Sequence, residues 1–160
     1  MTNERAEEKR RRLPTREQLR VWRDYLETAE GVRSRLGRRM QAESGLSLGD
    51  YQVLLSLSEA EGTRLRSSEL AARAGWERSR LSHHLGRMEK RGLIRRQECA
   101  QDNRGAEVVL TPSGAKAFRS GSILHLQAVQ ELFVMALTGE QLAQLDAITS
   151  SLRAHLEQQG

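Results

Sequence analysis

Apolar positions recur at three- and four-residue spacing in three stretches of the chain, which is the signature of helices with one buried stripe. The first stripe runs through Trp22, Tyr25, Leu26, Ala29, Val32, Leu36 and Met40 and ends near Ser44 and Gly45. A second contains Leu124, Val129, Leu132, Phe133 and Ala136, and a third Leu142, Leu145, Ile148, Leu152 and Leu156. Capping chemistry marks where helices begin. Thr15 with Gln18, Ser47 with Asp50 and Thr138 with Gln141 each place a hydroxyl three residues before a side chain that can return the bond. Leu46 with Tyr51, and Leu137 with Leu142, are spaced as the matching hydrophobic staples, and Thr111-Pro112 fits an N-cap followed by proline at the first helical position.

Between the terminal stripes the predicted elements are shorter. Ser67 to Gly75 (SSELAARAG) reads as a short helix closed by a left-handed glycine, and Arg78 to Arg91 as a second helix with Leu81, Leu85 and Met88 inward, stopping at Gly92. Two short helices joined by a tight glycine-containing turn form a helix-turn-helix. Leu93 to Glu98 and Ala106 to Leu110, flanking the polar tip Ala100 to Gly105, then read as a two-stranded hairpin. The fold class is therefore mainly α with a small β-hairpin wing: a winged helix-turn-helix whose terminal helices form a dimerisation bundle. The expected organisation is a charged tail over 1–13, dimerisation helices over 14–45 and 120–160, and a DNA-binding lobe over 46–119.

Charge sharpens this picture. The chain has 160 residues and a net charge of +5, and its 26 basic residues comprise 23 arginines and only Lys9, Lys90 and Lys116. From Gly62 to Arg119 there are 13 basic and 6 acidic residues, whereas Ser120 to Gly160 holds 1 basic and 4 acidic. The central module is thus built to meet anions, and arginine is the better fork for phosphates and guanine edges. In a helix-turn-helix the second helix enters the major groove. Its outer face, read here as Arg78, Ser79, Arg80, Ser82, His83, His84 and Arg87, carries donors and small residues, and Glu77 is the one acid nearby, at the helix N-terminus. Arg104 at the wing tip is placed to insert into a narrow minor groove.

Two further stretches extend the pattern: Arg91-Gly92-Leu93-Ile94-Arg95-Arg96 followed by Asp102-Asn103-Arg104, and Leu110-Thr111-Pro112-Ser113-Gly114 after the wing. In these the chain resembles the MarR family of transcriptional regulators over roughly residues 17–157. The resemblance implies a triangular, dimeric winged helix-turn-helix protein on a pseudo-palindromic site near a promoter, usually a repressor, often released by a small aromatic effector. It implies that Arg78 to Arg87 read the major groove, that Arg104 enters the minor groove and that Asp102 orients it. Ser67 and Ser68 would bond backbone phosphates, and Arg95 and Arg96 join the DNA-binding set. His83-His84 departs from the threonine-arginine common at that point of the family pattern.

Other chemistries find less support. Adjacent histidines on a helix point about 100 degrees apart, and no third ligand joins them, so no metal or cofactor is expected. The single cysteine, Cys99, falls at the wing and reads as an incidental thiol rather than a redox switch. No phosphate-cradling loop, nucleophile elbow or metal motif offers residues for an enzyme. The charged N-terminus lacks a signal-peptide pattern, which with the lone cysteine suggests a cytoplasmic, nucleoid-associated protein. Double-stranded DNA and a second copy of the chain are the expected partners. A nonspecific DNA- or RNA-binding or architectural protein without an effector is the alternative function, and an intramolecular bundle is the alternative to a dimer.

Overall fold

The computed structural model describes residues 13–98 and 106–159. The chain divides into two compact units, Met1–Arg35 and Leu36–Gly160. Helix α1, Arg16–Ser44, supplies the described helical part of the first unit and continues into the second. Its start is fixed as the sequence suggests: the Thr15 amide donates to Gln18 Oε1 at 2.9 Å, and the Gln18 amide donates to Thr15 Oγ1 at 3.2 Å. In the first unit Leu19, Val21, Trp22, Tyr25 and Leu26 are all exposed, Trp22 by 58%.

The second unit contains α2 (Leu48–Ser58), β1 (Arg64–Arg66), α3 (Ser67–Ala74), α4 (Arg78–Lys90), β2 (Ile94–Glu98), β3 (Ala106–Leu110), α5 (Pro112–Leu132) and α6 (Gly139–Glu157). Its core is formed by Val53, Leu54 and Leu57 of α2, Leu70 of α3, Leu81, Leu85 and Met88 of α4, and Ile94 and Val108 from the sheet. The inward stripe expected on the second helix of the helix-turn-helix is thus buried. Trp76 N–H donates to the Ala71 carbonyl at 3.0 Å and Gly75 N–H to that of Ala72 at 3.2 Å. Gly75 at φ +63° lets both bonds close the end of α3, a conformation that would strain a residue with a Cβ.

The wing differs from the expected two-stranded hairpin. It is a three-stranded antiparallel sheet in the order β1-β3-β2, with Leu65 opposite Val108 and Arg96 also opposite Val108 on the other side. The added strand is three residues of Arg-Leu-Arg in which only Leu65 is buried, too short for an alternation to register in the sequence. A second difference lies after α5, which ends at Leu132 rather than carrying the apolar stripe through Ala136. Phe133 leaves helical geometry (φ −129°, ψ −58°), a 3-10 turn spans Val134–Ala136, and extended backbone at Leu137 delivers Thr138 to cap α6.

The wing base and α5 meet through Thr111. Its hydroxyl lies 2.6 Å from the Gly92 carbonyl and 2.9 Å from that of Leu93, and its oxygen accepts the Gly114 amide at 3.0 Å. Any Cβ on Gly114 would collide with the Leu93 carbonyl, which explains the glycine three residues after the cap. Tyr51 of α2 stacks on His125 of α5 (centroids 4.3 Å apart) and lies near Phe118, tying these helices together. Burial lowers the tendency of His125 to protonate. No helix among the described residues is long and apolar enough to cross a membrane.

Candidate nucleic-acid interface

The outward side of α4 is assembled by exclusion. Leu81, Leu85 and Met88 occupy the core, so the remaining positions turn to solvent, and Arg78, Ser79, Arg80, Ser82, His83 and Arg87 are exposed together. The helix has no acidic residue in its first turn, and its one acid, Glu89, is engaged elsewhere. The face is therefore a field of donors with the positive end of the helix dipole behind it.

His84 does not join that face. Its side chain is only 12% exposed, and Nε2 lies 2.9 Å from Oδ1 of Asp50, the buried N3 residue of α2. The reason is position: residue 84 flanks the inward stripe beside Leu81 and Leu85, so the ring turns toward the first turn of α2. Asp50 is the one buried charged residue among those described. Its Oδ2 accepts the Ser47 amide at 2.9 Å, completing the expected capping box, and also accepts Arg91 Nη1 at 2.7 Å. Arg91 Nη2 reaches the Gly45 carbonyl at 2.7 Å. Burial by itself would raise the Asp50 pKa. The contact of the His84 ring and the bonds from Arg91 and the Ser47 amide, with the Arg91 charge, outweigh it and hold the carboxyl well below the usual range.

Arg96, expected to contact DNA, is exposed and is also bonded within the chain. Its Nε donates to Glu89 Oε2 at 2.8 Å while its backbone amide donates to Oε1 at 2.8 Å, pinning the first wing strand to α4. These bonds, the backbone one foremost, hold the Glu89 carboxyl below its ordinary value. Arg95 is exposed on β2. At the start of α3, Ser68 is exposed, whereas the Ser67 hydroxyl donates to the Ala106 carbonyl at 2.9 Å. Asp102, Arg104 and Cys99 lie outside the described residues.

Sequence reasoning missed Asp50 as more than a cap, together with Arg91, Glu89 and Trp76. The Ser47-Asp50 spacing predicts one bond to the carboxylate. Nothing local announces a partner 41 residues away.

The comparisons with known proteins agree with this architecture. The MarR family model matches residues 44–105. AbsC, a MarR family transcriptional regulator from Streptomyces coelicolor, is 36% identical, with 91% of this chain and 98% of that one covered at a TM-score of 0.82. Sco3205, a MarR family regulator from the same organism solved in complex with DNA, is 37% identical over 91% of each chain at a TM-score of 0.83. The transcriptional repressor MprA of Escherichia coli (strain K12) is 28% identical over 120 residues, 75% of this chain and 68% of its own length. With its helix-turn-helix, its wing and these two structural relatives, the chain belongs to the MarR family of transcriptional regulators.

Proposed function

We propose that this protein is a homodimeric, sequence-specific repressor that reads a pseudo-palindromic double-stranded DNA operator with one α4 per half-site. The observation that carries the reading is the exposed donor face of α4, acid-free and buttressed by the core. On this reading Arg78, Ser79, Arg80, Ser82, His83 and Arg87 meet base edges and flanking phosphates, Ser68 bonds a phosphate, and Arg95 approaches the backbone from the wing. Asp102 and Arg104 keep the roles that the family resemblance implies. Residues 46–119 form the DNA-binding lobe.

Dimerisation through 14–45 and 120–160 is supported by apolar side chains left in water. Trp22, Tyr25 and Leu26 on α1, and Ile148, Leu152 and Leu156 on α6, are exposed in the single chain. Unpartnered stripes of this kind mark association surfaces. The DNA complex of Sco3205 and the repressor activity in the name of MprA support the regulatory reading. The family resemblance further implies release by a small aromatic ligand, which is tested by adding such ligands to the assembled protein–DNA complex.

Selection of duplexes from a random library at roughly physiological salt tests the function. Enrichment of two inverted half-sites about one helical turn apart is the expected result. Arg80→Ala then costs about 1–3 kcal/mol and relaxes preference at one position per half-site. Binding that enriches no motif and disappears as salt rises would overturn the reading in favour of a nonspecific nucleic-acid binder.

A further inference from the structure

Two arginines of the α4 donor face, on its edge beside His84, are not free tethers. Arg80 holds its guanidinium carbon 4.6 Å from the centroid of the Trp76 ring, and Arg87 Nη2 lies 3.0 Å from His84 Nδ1. Trp76 and His84 meet edge to face, with centroids 5.1 Å apart. Residues 80, 84 and 87 follow one another at four- and three-residue spacing, so Arg80, His84 and Arg87 lie on one stripe of the helix.

His84 and Trp76 pack on the first turn of α2, and Gly49 makes the approach possible. A Cβ there would stand 2.8 Å from Trp76 Cη2 and 3.0 Å from His84 Cε1, closer than carbon atoms tolerate. Trp76 is in turn fixed by the closure of α3, through its amide bond to Ala71. The platform is therefore built from three separate elements before any arginine is laid on it.

The protonation pattern of His84 follows from its neighbours. A guanidinium can only donate, so Nδ1 must accept from Arg87 and carries no proton. In the neutral ring the proton then sits on Nε2, which lies 2.9 Å from Asp50 Oδ1 without the alignment of a hydrogen bond and has no hydrogen-bonding partner among the described residues. Asp50 is held in turn by Arg91 and the Ser47 amide. A chain of contacts thus runs from a buried carboxylate through one imidazole to an exposed guanidinium.

We infer that His84, oriented by Asp50, is a positioning residue for DNA sequence discrimination: it presents Arg87 in one fixed orientation, as Trp76 does for Arg80. The inference rests on the DNA-reading function proposed above and deepens it. A prearranged guanidinium loses little side-chain freedom when it meets a base edge, and a misaligned base gains nothing from its flexibility. His84 would therefore affect which base is chosen more than how strongly duplex DNA is held.

The test uses the full chain and the duplex selected by the wild-type protein, with all single-base variants of one half-site. Arg87→Ala identifies the base pair that Arg87 reads. His84→Leu, which keeps an apolar body against Trp76 but offers no acceptor, is expected to lower the preference at that same base pair by about tenfold. Affinity for random duplex is expected to stay within about twofold. Adding His84→Leu to Arg87→Ala should cause no further loss of preference, because His84 acts through Arg87. His84→Gln, which retains a donor for Asp50 and an acceptor for Arg87, should rescue most of the preference. Nitrogen-15 spectra of the free wild-type protein should show His84 protonated on Nε2 only.

If the wild-type protein selects no motif, the DNA-reading function fails and this inference fails with it. If the motif is present and Arg87→Ala alters it, but His84→Leu leaves the preference at that base pair intact, the function stands and the positioning role is overturned. Should His84→Leu not fold, His84→Gln and the spectra decide: a ring protonated on Nδ1 refutes the inference, as does a glutamine variant with no preference left.

Discussion

The winged module and the terminal helices use similar apolar residues to opposite ends. In the module Val53, Leu54, Leu57, Leu70 and Met88 are wholly shielded from water, and the buried carboxylate beside them, Asp50, is tied by specific bonds. On α6 Ile148, Leu152 and Leu156 recur at the same helical spacing and remain in solvent, as does Trp22 on α1. A helical stripe therefore states that a surface wants cover. It does not state whether the cover comes from the same chain.

Truncating each region should separate the two kinds of stripe. The largest effect is expected from Leu54→Ala, which opens a cavity in the module and should lower stability by about 2–5 kcal/mol at any protein concentration. The same truncation at Leu152, 47% exposed, should leave the isolated chain nearly unchanged. Chemical denaturation at two concentrations compares them, and equal losses would erase the distinction.

Asp50→Ala comes next. It strips Arg91 and His84 of their shared partner and removes a helix cap, for a loss of about 3 kcal/mol. Because its pKa is lowered in the folded state, the stability contributed by ionised Asp50 is fully present above the ordinary carboxylate value of about 4 and is lost as pH falls through the lower native value. Acid unfolding of wild type and variant should therefore converge at low pH. Parallel curves down to the most acid conditions would show that this carboxylate is not the linked group.

Ile148→Asp addresses the exposed stripe directly. It should weaken self-association by about 2 kcal/mol, roughly thirtyfold in Kd, while leaving the far-ultraviolet circular dichroism of the chain intact. Sedimentation equilibrium measures the change, and an unaltered mass distribution removes α6 from the proposed dimer surface. Thr138→Ala is the smallest perturbation. It deletes the hydroxyl that accepts the Gln141 amide at 3.2 Å and should cost about 1 kcal/mol, seen as fraying of the first turn of α6 in hydrogen exchange. Protection unchanged in that turn would mean that packing, not the cap, holds its start.

What the sequence made legible divides along the same physical line. All four helix starts announced by a hydroxyl were found in place, three as capping boxes and Thr111 as a simple cap, because capping is chemistry within four residues. The inward trio Leu81, Leu85 and Met88 was equally plain, since a period needs only its own helix. Strand β1 escaped notice because its pairing partner is over forty residues away and three residues carry no period. His84 was misplaced on the outer face for a related reason. A histidine beside an apolar stripe can face either way, and the choice is made by Asp50 and by the missing side chain of Gly49, neither visible in the local pattern. Arg96, expected in the DNA-binding set, is also paired with Glu89 seven residues earlier, a contact that the local pattern did not announce.

The clamp between Arg96 and Glu89 has a mechanical consequence. It fastens β2, at the base of the wing, to the proposed recognition helix α4 by a backbone and a side-chain bond at once, so that these two elements keep a constant span. On the proposed DNA-reading function, a mismatch between that span and the groove spacing of a given duplex would pass strain to the softer body, the DNA. Bending or twisting a site costs about 1–6 kcal/mol, depending on the stiffness of its steps. Two operators with identical contacted bases would then be ranked by the pliancy of the base pairs between them, which no side chain touches.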